Sequence, residues 1–234
     1  MTTPRLVLWD IDRTLMYVGH IDKRLYFEIF EEILGYPIDA LADTTGRTDP
    51  SIFRDTFLQH GIAEHETETL VPRYIDRLAE RFADARADIH RDGQLFDGTV
   101  DTLKTVNAQP GIIASVLTGN IKPVAVAKLE FFDLHPYVDT HIGAYGSDDP
   151  DKATLVTIAQ QRAAAKHGHT FDRSDTVLIG DSPHDVDAGR HGGATTIAVA
   201  TGKHTAAELR DAGADTVLDD LRDTDTVLKV IHSF

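Results

Sequence analysis

The run Leu6-Val7-Leu8-Trp9 constrains the fold most, because this short apolar stretch ends abruptly at two carboxylates, Asp10 and Asp12. Four consecutive apolar residues leave no polar face, and such strands are typical of parallel sheets covered by helices on both sides. The carboxyl ends of the strands carry the chemistry in open sheets of this kind. Two carboxylates this close repel each other, so we expect a cation, a lysine or a shared proton beside them. The alternative is a polar strand end at which Asp12 starts a turn.

Most of the remaining chain alternates between apolar runs and amphipathic segments. Further strands are predicted at 112–117, 138–142, 176–179, 195–200 and 216–218. Helices are predicted between and after them, at about 98–107, 122–132, 151–167, 184–191, 205–212 and 221–232. This alternation predicts an α/β fold with a doubly wound parallel sheet of at least six strands.

Residues 19–90 interrupt the alternation with three helices that have no strand between them. The first ends at Gly35, and the second begins at Asp49-Pro50, with Asp49 as the N-cap. We therefore predict an inserted α-helical domain at 19–90 and a core made of residues 1–18 and 91–234. A loop within the insertion carries Arg47, which is either a solvated residue or a side chain that faces a pocket.

Composition excludes several classes of protein. The formal net charge of −15, with 23 Lys and Arg against 38 Asp and Glu, argues against a nucleic-acid partner. The absence of cysteine excludes disulfides, thiolate catalysis and Cys-ligated zinc. We find no apolar signal region and no run of membrane length, so we expect a cytoplasmic protein that does not bind membranes. No heptad seam is present, and we expect a monomer or a homodimer.

Polar residues end three of the predicted strands: the pair Asp10 and Asp12, the pair Thr118 and Asn120, and the pair Asp181 and Asp185. Because the carboxyl ends of parallel strands face one crevice, these groups should converge. Four carboxylates in one crevice call for a cation, and in a chain without cysteine oxygen ligands favour Mg²⁺. The glycine-rich motifs of dinucleotide-binding and P-loop proteins are absent from the sequence.

The same residues carry a family resemblance. Asp10-Ile-Asp-Arg-Thr14 resembles the first motif of the haloacid dehalogenase-like hydrolase superfamily, Leu117–Asn120 its second motif, and Gly180–Asp185 its fourth. The helical insertion after the first motif is similar to the cap domain of the phosphoglycolate phosphatase-like and β-phosphoglucomutase-like branch, in which the cap is inserted into a Rossmann-like core. One departure is Arg13, at a position where a small residue is common.

This resemblance implies a phosphatase that hydrolyses a small phosphate monoester. Asp10 would attack phosphorus to form an aspartyl-phosphate, and Asp12 would protonate the leaving alkoxide and then activate water. Thr118 would hydrogen-bond a phosphoryl oxygen, and Gly119 and Asn120 would help to bind the substrate.

The resemblance also implies a Mg²⁺ site and a lysine near the nucleophile. Mg²⁺ would be held by the Asp10 carboxylate, the Asp12 carbonyl oxygen and Asp181, with Asp185 as a ligand through water or a partner of the ligands. Lys152, at the start of a helix, is the favoured candidate for the lysine that offsets the charge of Asp10. Lys122 is a rival because it lies close to Asn120 in sequence. Arg47 is a candidate for substrate binding.

Other functions are compatible with parts of this pattern. A sugar-phosphate mutase would use the same core and a similar cap. A haloacid dehalogenase needs neither a second catalytic carboxylate nor a metal, so Asp12 and Asp181 argue against it. A non-catalytic phosphate-binding or partner-binding module would keep several carboxylates in a crevice without compensation, which has an electrostatic cost.

Overall fold

The computed structural model describes residues 4–234, so residues 1–3 of the predicted core segment 1–18 lie outside it. The strands in this range are β1 (Arg5–Trp9), β2 (Met16–Tyr17), β3 (Gln94–Leu95), β4 (Ile112–Thr118), β5 (Ala144–Tyr145), β6 (Thr176–Gly180), β7 (Thr195–Val199) and β8 (Thr216–Leu218). The helices are α1 (Gly19–Leu34), α2 (Asp49–Gln59), α3 (Glu64–Asp84), α4 (Arg86–Asp92), α5 (Thr99–Asn107), α6 (Lys122–Phe131), α7 (Lys152–His167), α8 (Pro183–Gly192), α9 (Ala206–Asp211) and α10 (Thr224–His232). Among these described helices, none combines the length and the apolar character needed to cross a membrane.

Six of the described strands form a parallel sheet in the order β5-β4-β1-β6-β7-β8. Successive side chains of β1 point to opposite faces of this sheet. Val7 and Trp9 pack in one apolar cluster with residues of α5, α6 and α10, whereas Leu6 and Leu8 pack in another with residues of α7 and α8. Both faces are therefore covered by helices, and the predicted doubly wound α/β fold is confirmed.

The position of β1 between β4 and β6 determines where the site lies. Trp9 is paired with Val116 on one side and with Ile179 on the other. The carboxyl ends of these three strands therefore lie side by side at one edge of the sheet. The polar residues that follow the strands are brought together by this register.

Helices α1 to α4, residues 19–92, form what we call the helical segment. It leaves the core after β2 and returns at β3, and these two short strands pair antiparallel. Its helices pack around aromatic side chains, with Tyr74 lying 4.0 Å from Phe53 and 4.5 Å from Phe30 between ring centroids. These aromatic side chains belong to an apolar cluster that the helical segment shares with Val124 and Phe131 of α6.

Three local predictions were wrong. The helical segment contains four helices rather than three, because the chain breaks at Ala85 between α3 and α4. The strand predicted at 138–142 is absent, and the ladder with β4 begins only where Leu117 pairs with Ala144. Val138 and Ile142 are buried without strand pairing, so their apolar character reflects packing alone.

The N-cap of α2 is Thr48 rather than Asp49. The Asp49 carboxylate instead accepts hydrogen bonds from the Tyr26 hydroxyl (2.6 Å) and the Ile121 backbone N–H (2.8 Å). It therefore joins the helical segment to the start of α6.

Candidate active site

Asp10 is the first residue after β1, and its side chain is buried at the edge of the sheet. Its backbone N–H donates to the Ile179 carbonyl oxygen (2.8 Å), which holds the residue in line with β6. Burial raises the pKa of Asp10 to about 7; Lys152 opposes this shift, and the neighbouring carboxylates of Asp185 and Asp12 add to it. A buried carboxylate in such surroundings is typical of a functional site.

Lys152 is the cation beside Asp10. Its Nζ lies 3.2 Å from Asp10 Oδ1 and 2.7 Å from Asp185 Oδ1. It is the first residue of α7, and the preceding Asp151 caps this helix by accepting from backbone N–H groups. Burial alone would lower the pKa of Lys152, but the two aspartates outweigh burial and raise it above its ordinary value. The rival Lys122 lies elsewhere, with Nζ 5.4 Å from the centroid of the Tyr145 ring.

Three buried aspartates form a cluster at this edge of the sheet. One carboxylate oxygen from each of Asp10, Asp181 and Asp185 lies within 4.8 Å of the other two. Asp185 is oriented by Ser182, whose N–H (3.0 Å) and hydroxyl (2.6 Å) both donate to its Oδ2. A Cβ atom at Gly202 would lie 1.7 Å from Asp181 Oδ2, so only glycine at this position leaves room for the carboxylate.

The chemistry of this cluster fits a hard divalent cation. Its donors are all carboxylate oxygens, which suit Mg²⁺. Burial raises the pKa of Asp181 to about 8, and repulsion by Asp185 and Asp10 adds to the shift. A bound cation would relieve this repulsion, because it favours the ionised form of each carboxylate.

The Asp12 carboxylate belongs to a different set of contacts. Lys128 Nζ lies 2.7 Å from its Oδ1 and 2.8 Å from its Oδ2, and the Asn120 side-chain amide also donates to Oδ2. The Asp12 side chain nevertheless keeps 31% of its surface exposed. Asp10 and Asp12 are thus each paired with a different buried lysine.

Residues 118–120 extend from the end of β4 into the same site. The Thr118 hydroxyl oxygen accepts from the Asn120 backbone N–H (3.3 Å) and from its side-chain amide (3.0 Å). This arrangement leaves the Thr118 hydroxyl proton free to donate to another group. The Gly119 carbonyl oxygen accepts from the Asp49 backbone N–H (2.8 Å), so the helical segment is bound directly to this loop.

A cavity of about 620 Å³ opens above these residues. The strand ends line one side of it, and Tyr26, Phe27 and the loop containing Arg47 line the other. This volume is typical of sites for small ligands. Arg47 is not a free cation here, because its guanidinium donates to Asp55 Oδ2 at 2.6 Å.

Sequence reasoning missed Lys128 and Asp22. Lys128 is fully buried, and its Nζ also lies 2.9 Å from Asp22 Oδ2 in α1. A signal was present, because Lys128 follows the buried Val124 by four residues and precedes the buried Phe131 by three. A lysine on the apolar side of a helix is rarely buried without a partner. The identity of that partner could not be inferred from helical spacing.

The chain is similar to known proteins over most of its length. The family model for haloacid dehalogenase-like hydrolases matches residues 7–190. The chain is 25% identical to phosphoglycolate phosphatase 1 of Pseudomonas aeruginosa, covering 94% of this chain and 78% of that protein. It is also 25% identical to pyrophosphatase PpaX of Oceanobacillus iheyensis, covering 96% of each.

A solved structure supports the fold. A predicted phosphatase from Clostridium acetobutylicum superposes with a TM-score of 0.70 at 18% identity, covering 97% of this chain and 100% of that one. At this identity the likeness concerns the fold alone. The family match, by contrast, spans most of the chain and all three motifs at the strand ends. This chain therefore belongs to the haloacid dehalogenase-like hydrolase family.

Proposed function

We propose that this protein is a Mg²⁺-dependent phosphatase that hydrolyses a small phosphate monoester through an aspartyl-phosphate at Asp10. The observation that carries the proposal is the separation of two acids at the base of one cavity. Asp10 lies with Lys152 and the aspartate cluster, whereas Asp12 is held apart by Lys128. Two carboxyl groups in different environments suit two different roles. The names of the relatives, phosphoglycolate phosphatase and pyrophosphatase, support the same class of reaction.

In the first half of the reaction, an Asp10 carboxylate oxygen attacks phosphorus. The bond between phosphorus and the ester oxygen breaks, and Asp12 donates its proton to that oxygen as the alcohol leaves. Thr118, with its hydroxyl proton free, donates to a phosphoryl oxygen. Lys152 supports the attack because its charge favours the ionised form of Asp10.

The second half regenerates the enzyme. Asp12, now a carboxylate, takes a proton from water, and the water oxygen attacks the phosphorus of the aspartyl-phosphate. The bond between phosphorus and the Asp10 oxygen breaks, which releases inorganic phosphate and restores both side chains. One difficult displacement is thereby divided into two easier ones.

The carboxylates of Asp10, Asp181 and Asp185 would hold Mg²⁺, and the Asp12 carbonyl oxygen is a further predicted ligand. When bound, the ion would neutralise charge on the phosphate, so that an anionic carboxylate can approach it.

Residues 19–90 are proposed to act as a cap over the cavity. The helical segment lines one side of the cavity and is hydrogen-bonded to the core. The Thr48 hydroxyl donates to the Pro150 carbonyl oxygen (2.9 Å), and the Asp49 N–H donates to Gly119. A cap in this position would exclude bulk water while the phosphoryl group is transferred.

The direct test is turnover of a panel of phosphate compounds with and without Mg²⁺. The panel should include 4-nitrophenyl phosphate, phosphoglycolate and pyrophosphate. We expect Mg²⁺-dependent release of phosphate from at least one of them, and a loss of about a thousandfold or more in Asp10→Asn. Asp101→Asn, at an exposed position in α5, is the matched control and should keep full activity. Undiminished turnover by Asp10→Asn would refute the nucleophile assignment.

The same panel separates the alternatives. A sugar-phosphate mutase would isomerise its substrate only with a bisphosphate primer and would release little phosphate. A binding module would be stabilised by Mg²⁺ and would turn over none of the compounds.

Arg47→Ala tests the predicted contact with substrate and should raise KM for the preferred compound. The cytoplasmic location and the monomeric or dimeric state stay predictions.

A further inference from the structure

Lys128 is a buried cation that takes no part in the reaction steps described above. Its side chain is fully buried in α6, yet its ammonium group lies beside Asp12, the proposed acid and base. A buried charge is costly unless it is paired and hydrogen-bonded. The contacts of Lys128 therefore indicate which groups the buried ammonium group stabilises.

The ammonium group is surrounded by four oxygen atoms. Its Nζ lies 2.7 and 2.8 Å from the two Asp12 oxygens, 2.9 Å from Asp22 Oδ2 and 2.8 Å from Asn120 Oδ1. Asn120 completes the arrangement, since its amide nitrogen donates to Asp12 Oδ2 and to the Thr118 hydroxyl oxygen. Lys128 and Asn120 therefore hold the Asp12 carboxylate in position and in orientation, and each of them is held by further hydrogen bonds.

The contacts of Lys128 also link the core to the helical segment. Asp12 and Lys128 lie on the sheet edge and on α6, whereas Asp22 lies in the first turn of α1 in the helical segment. The Asp22 side chain is only 13% exposed, so the pair is largely shielded from solvent. A shift of α1 would therefore change the partners of Lys128 and, through Lys128, the position of Asp12.

We infer that Lys128 is a positioning residue, which orients the Asp12 carboxyl group for proton transfer and is itself held by Asp22 of the helical segment. This inference rests on the proposed function, because it gives Asp12 the role of acid and base. Proton transfer in the transition state requires hydrogen-bond geometry, so a loosely held Asp12 would protonate the leaving oxygen poorly. The loss should be greatest for substrates whose leaving group most needs the proton.

A series of matched substrates tests the positioning role of Lys128. The probes are 4-nitrophenyl, 4-chlorophenyl, phenyl and 4-methoxyphenyl phosphate, which have similar shapes but differ in the basicity of the leaving oxygen. The value of kcat/KM is measured for each with wild type and Lys128→Met, since kcat/KM reports on the steps through departure of the phenol. Lys122→Met, on the same helix but outside the cavity, controls for the loss of a positive charge.

We expect Lys128→Met to lose about tenfold more kcat/KM on phenyl phosphate than on 4-nitrophenyl phosphate, because nitrophenolate departs with little help from an acid. A plot of log kcat/KM against leaving-group basicity should therefore become steeper. Lys122→Met should leave the slope unchanged. In an Asp12→Asn background, Lys128→Met should not change the slope further, because the residue through which it acts is gone.

An equal loss on all four substrates would contradict the inference, since a purely structural role lowers the amount of active enzyme regardless of leaving group. If Lys128→Met does not fold, Asp22→Asn decides the matter, because it keeps the lysine and removes only its tie to α1. A steeper slope in Asp22→Asn supports the inference, and an unchanged slope refutes it. If wild type hydrolyses none of the four esters with Mg²⁺ present, it is the proposed function that fails instead.

Discussion

Arg13 has a backbone conformation that its residue type disfavours. Its φ is +65°, in the left-handed region, immediately after Asp12. Its N–H donates to the Met16 carbonyl oxygen (2.7 Å), and its own carbonyl oxygen accepts from the Thr201 hydroxyl (2.6 Å). These bonds hold the turn in place. A non-glycine residue in this region costs on the order of 1–3 kcal/mol and persists where the surroundings enforce it.

Replacing Arg13 by glycine should therefore stabilise the protein. Relief of strain exceeds the extra entropy that glycine gives the unfolded chain, so we expect the free energy of unfolding to rise by about 1 kcal/mol. Equilibrium unfolding in urea would measure the change. Asp133→Gly, at the other described non-glycine residue with positive φ (+55°), is the matched comparison and should show a smaller gain, since Asp tolerates this region better. A less stable Arg13→Gly would show that the side chain, 4.5 Å from the centroid of the Tyr17 ring, contributes more than the strain costs.

The two buried lysines show what could be inferred for single residues. Lys152 lies at the start of a helix before the strand-end motif of Asp181, and its proximity to Asp10 follows from chain order in a parallel sheet. Lys128 lies in mid-helix, and its partner depends on the angle at which α6 crosses the end of β1. Sequence spacing carries no information on that angle.

The loop before α2 meets the loop after β4 at very close range. A Cβ atom on Gly119 would lie 2.1 Å from the Arg47 carbonyl oxygen and 3.1 Å from Thr48 Cα. Backbone atoms cannot move aside as a flexible side chain can. The contact between the helical segment and the active-site edge therefore depends on the absence of a side chain at position 119.

Gly119→Ala should separate these two loops. We expect kcat/KM for the best substrate to fall by about 10- to 100-fold, because displacement of the loop disturbs the neighbouring Thr118 and Asn120. Gly168→Ala controls for general destabilisation: Gly168 has φ +70° with no heavy atom near its would-be Cβ, so the variant should lose stability but keep activity. Steady-state kinetics beside thermal unfolding would distinguish the two effects. Full activity in Gly119→Ala would mean that the close contact is irrelevant to turnover.

Most elements were predictable because apolar runs in strands and helical spacing of apolar residues both report burial, and burial in this fold follows the sheet. The strands β1, β4 and β6, which lead to Asp10, Thr118 and Asp181, are long enough to show such a run. The paired strands β2 and β3 have two residues each, too few for any periodicity. A strand was wrongly predicted at 138–142 because the apolar residues of this segment are buried, although its backbone is irregular and forms no strand.

Acidic groups influence the stability of the whole molecule as well as its site. The folded-state pKa values of about 7 for Asp10 and about 8 for Asp181 both lie above the ordinary value of 3.8. At pH values between the ordinary pKa and these raised pKa values, Asp10 and Asp181 bind more protons in the metal-free folded protein than in the unfolded chain. Stability contributed by these groups therefore falls as the pH rises from about 4 to about 8.

Mg²⁺ should counteract this trend. The ion binds ionised carboxylates, so its stabilising effect should be small at pH 5.5, where both groups are protonated, and larger at pH 8. At a concentration about 100-fold above Kd, the expected rise in Tm at pH 8 is about 5–10 °C. Thermal unfolding across this pH range, with Asp181→Asn as the control that loses the effect, would test the prediction. An equal shift at both pH values, or one that survives in Asp181→Asn, would place the ion elsewhere.

Phosphorylation of Asp10 during turnover is the step on which the proposed function depends. To detect the phosphorylated residue, the enzyme is quenched rapidly in the steady state and reduced with borohydride, and the peptide containing Asp10 is analysed by mass spectrometry. Borohydride reduces an acyl phosphate to the alcohol. We predict that wild type, quenched with substrate and Mg²⁺, yields homoserine at position 10, and that samples without substrate do not. Turnover without modification at Asp10, or reduction at another aspartate, would refute the assignment of Asp10 as the nucleophile.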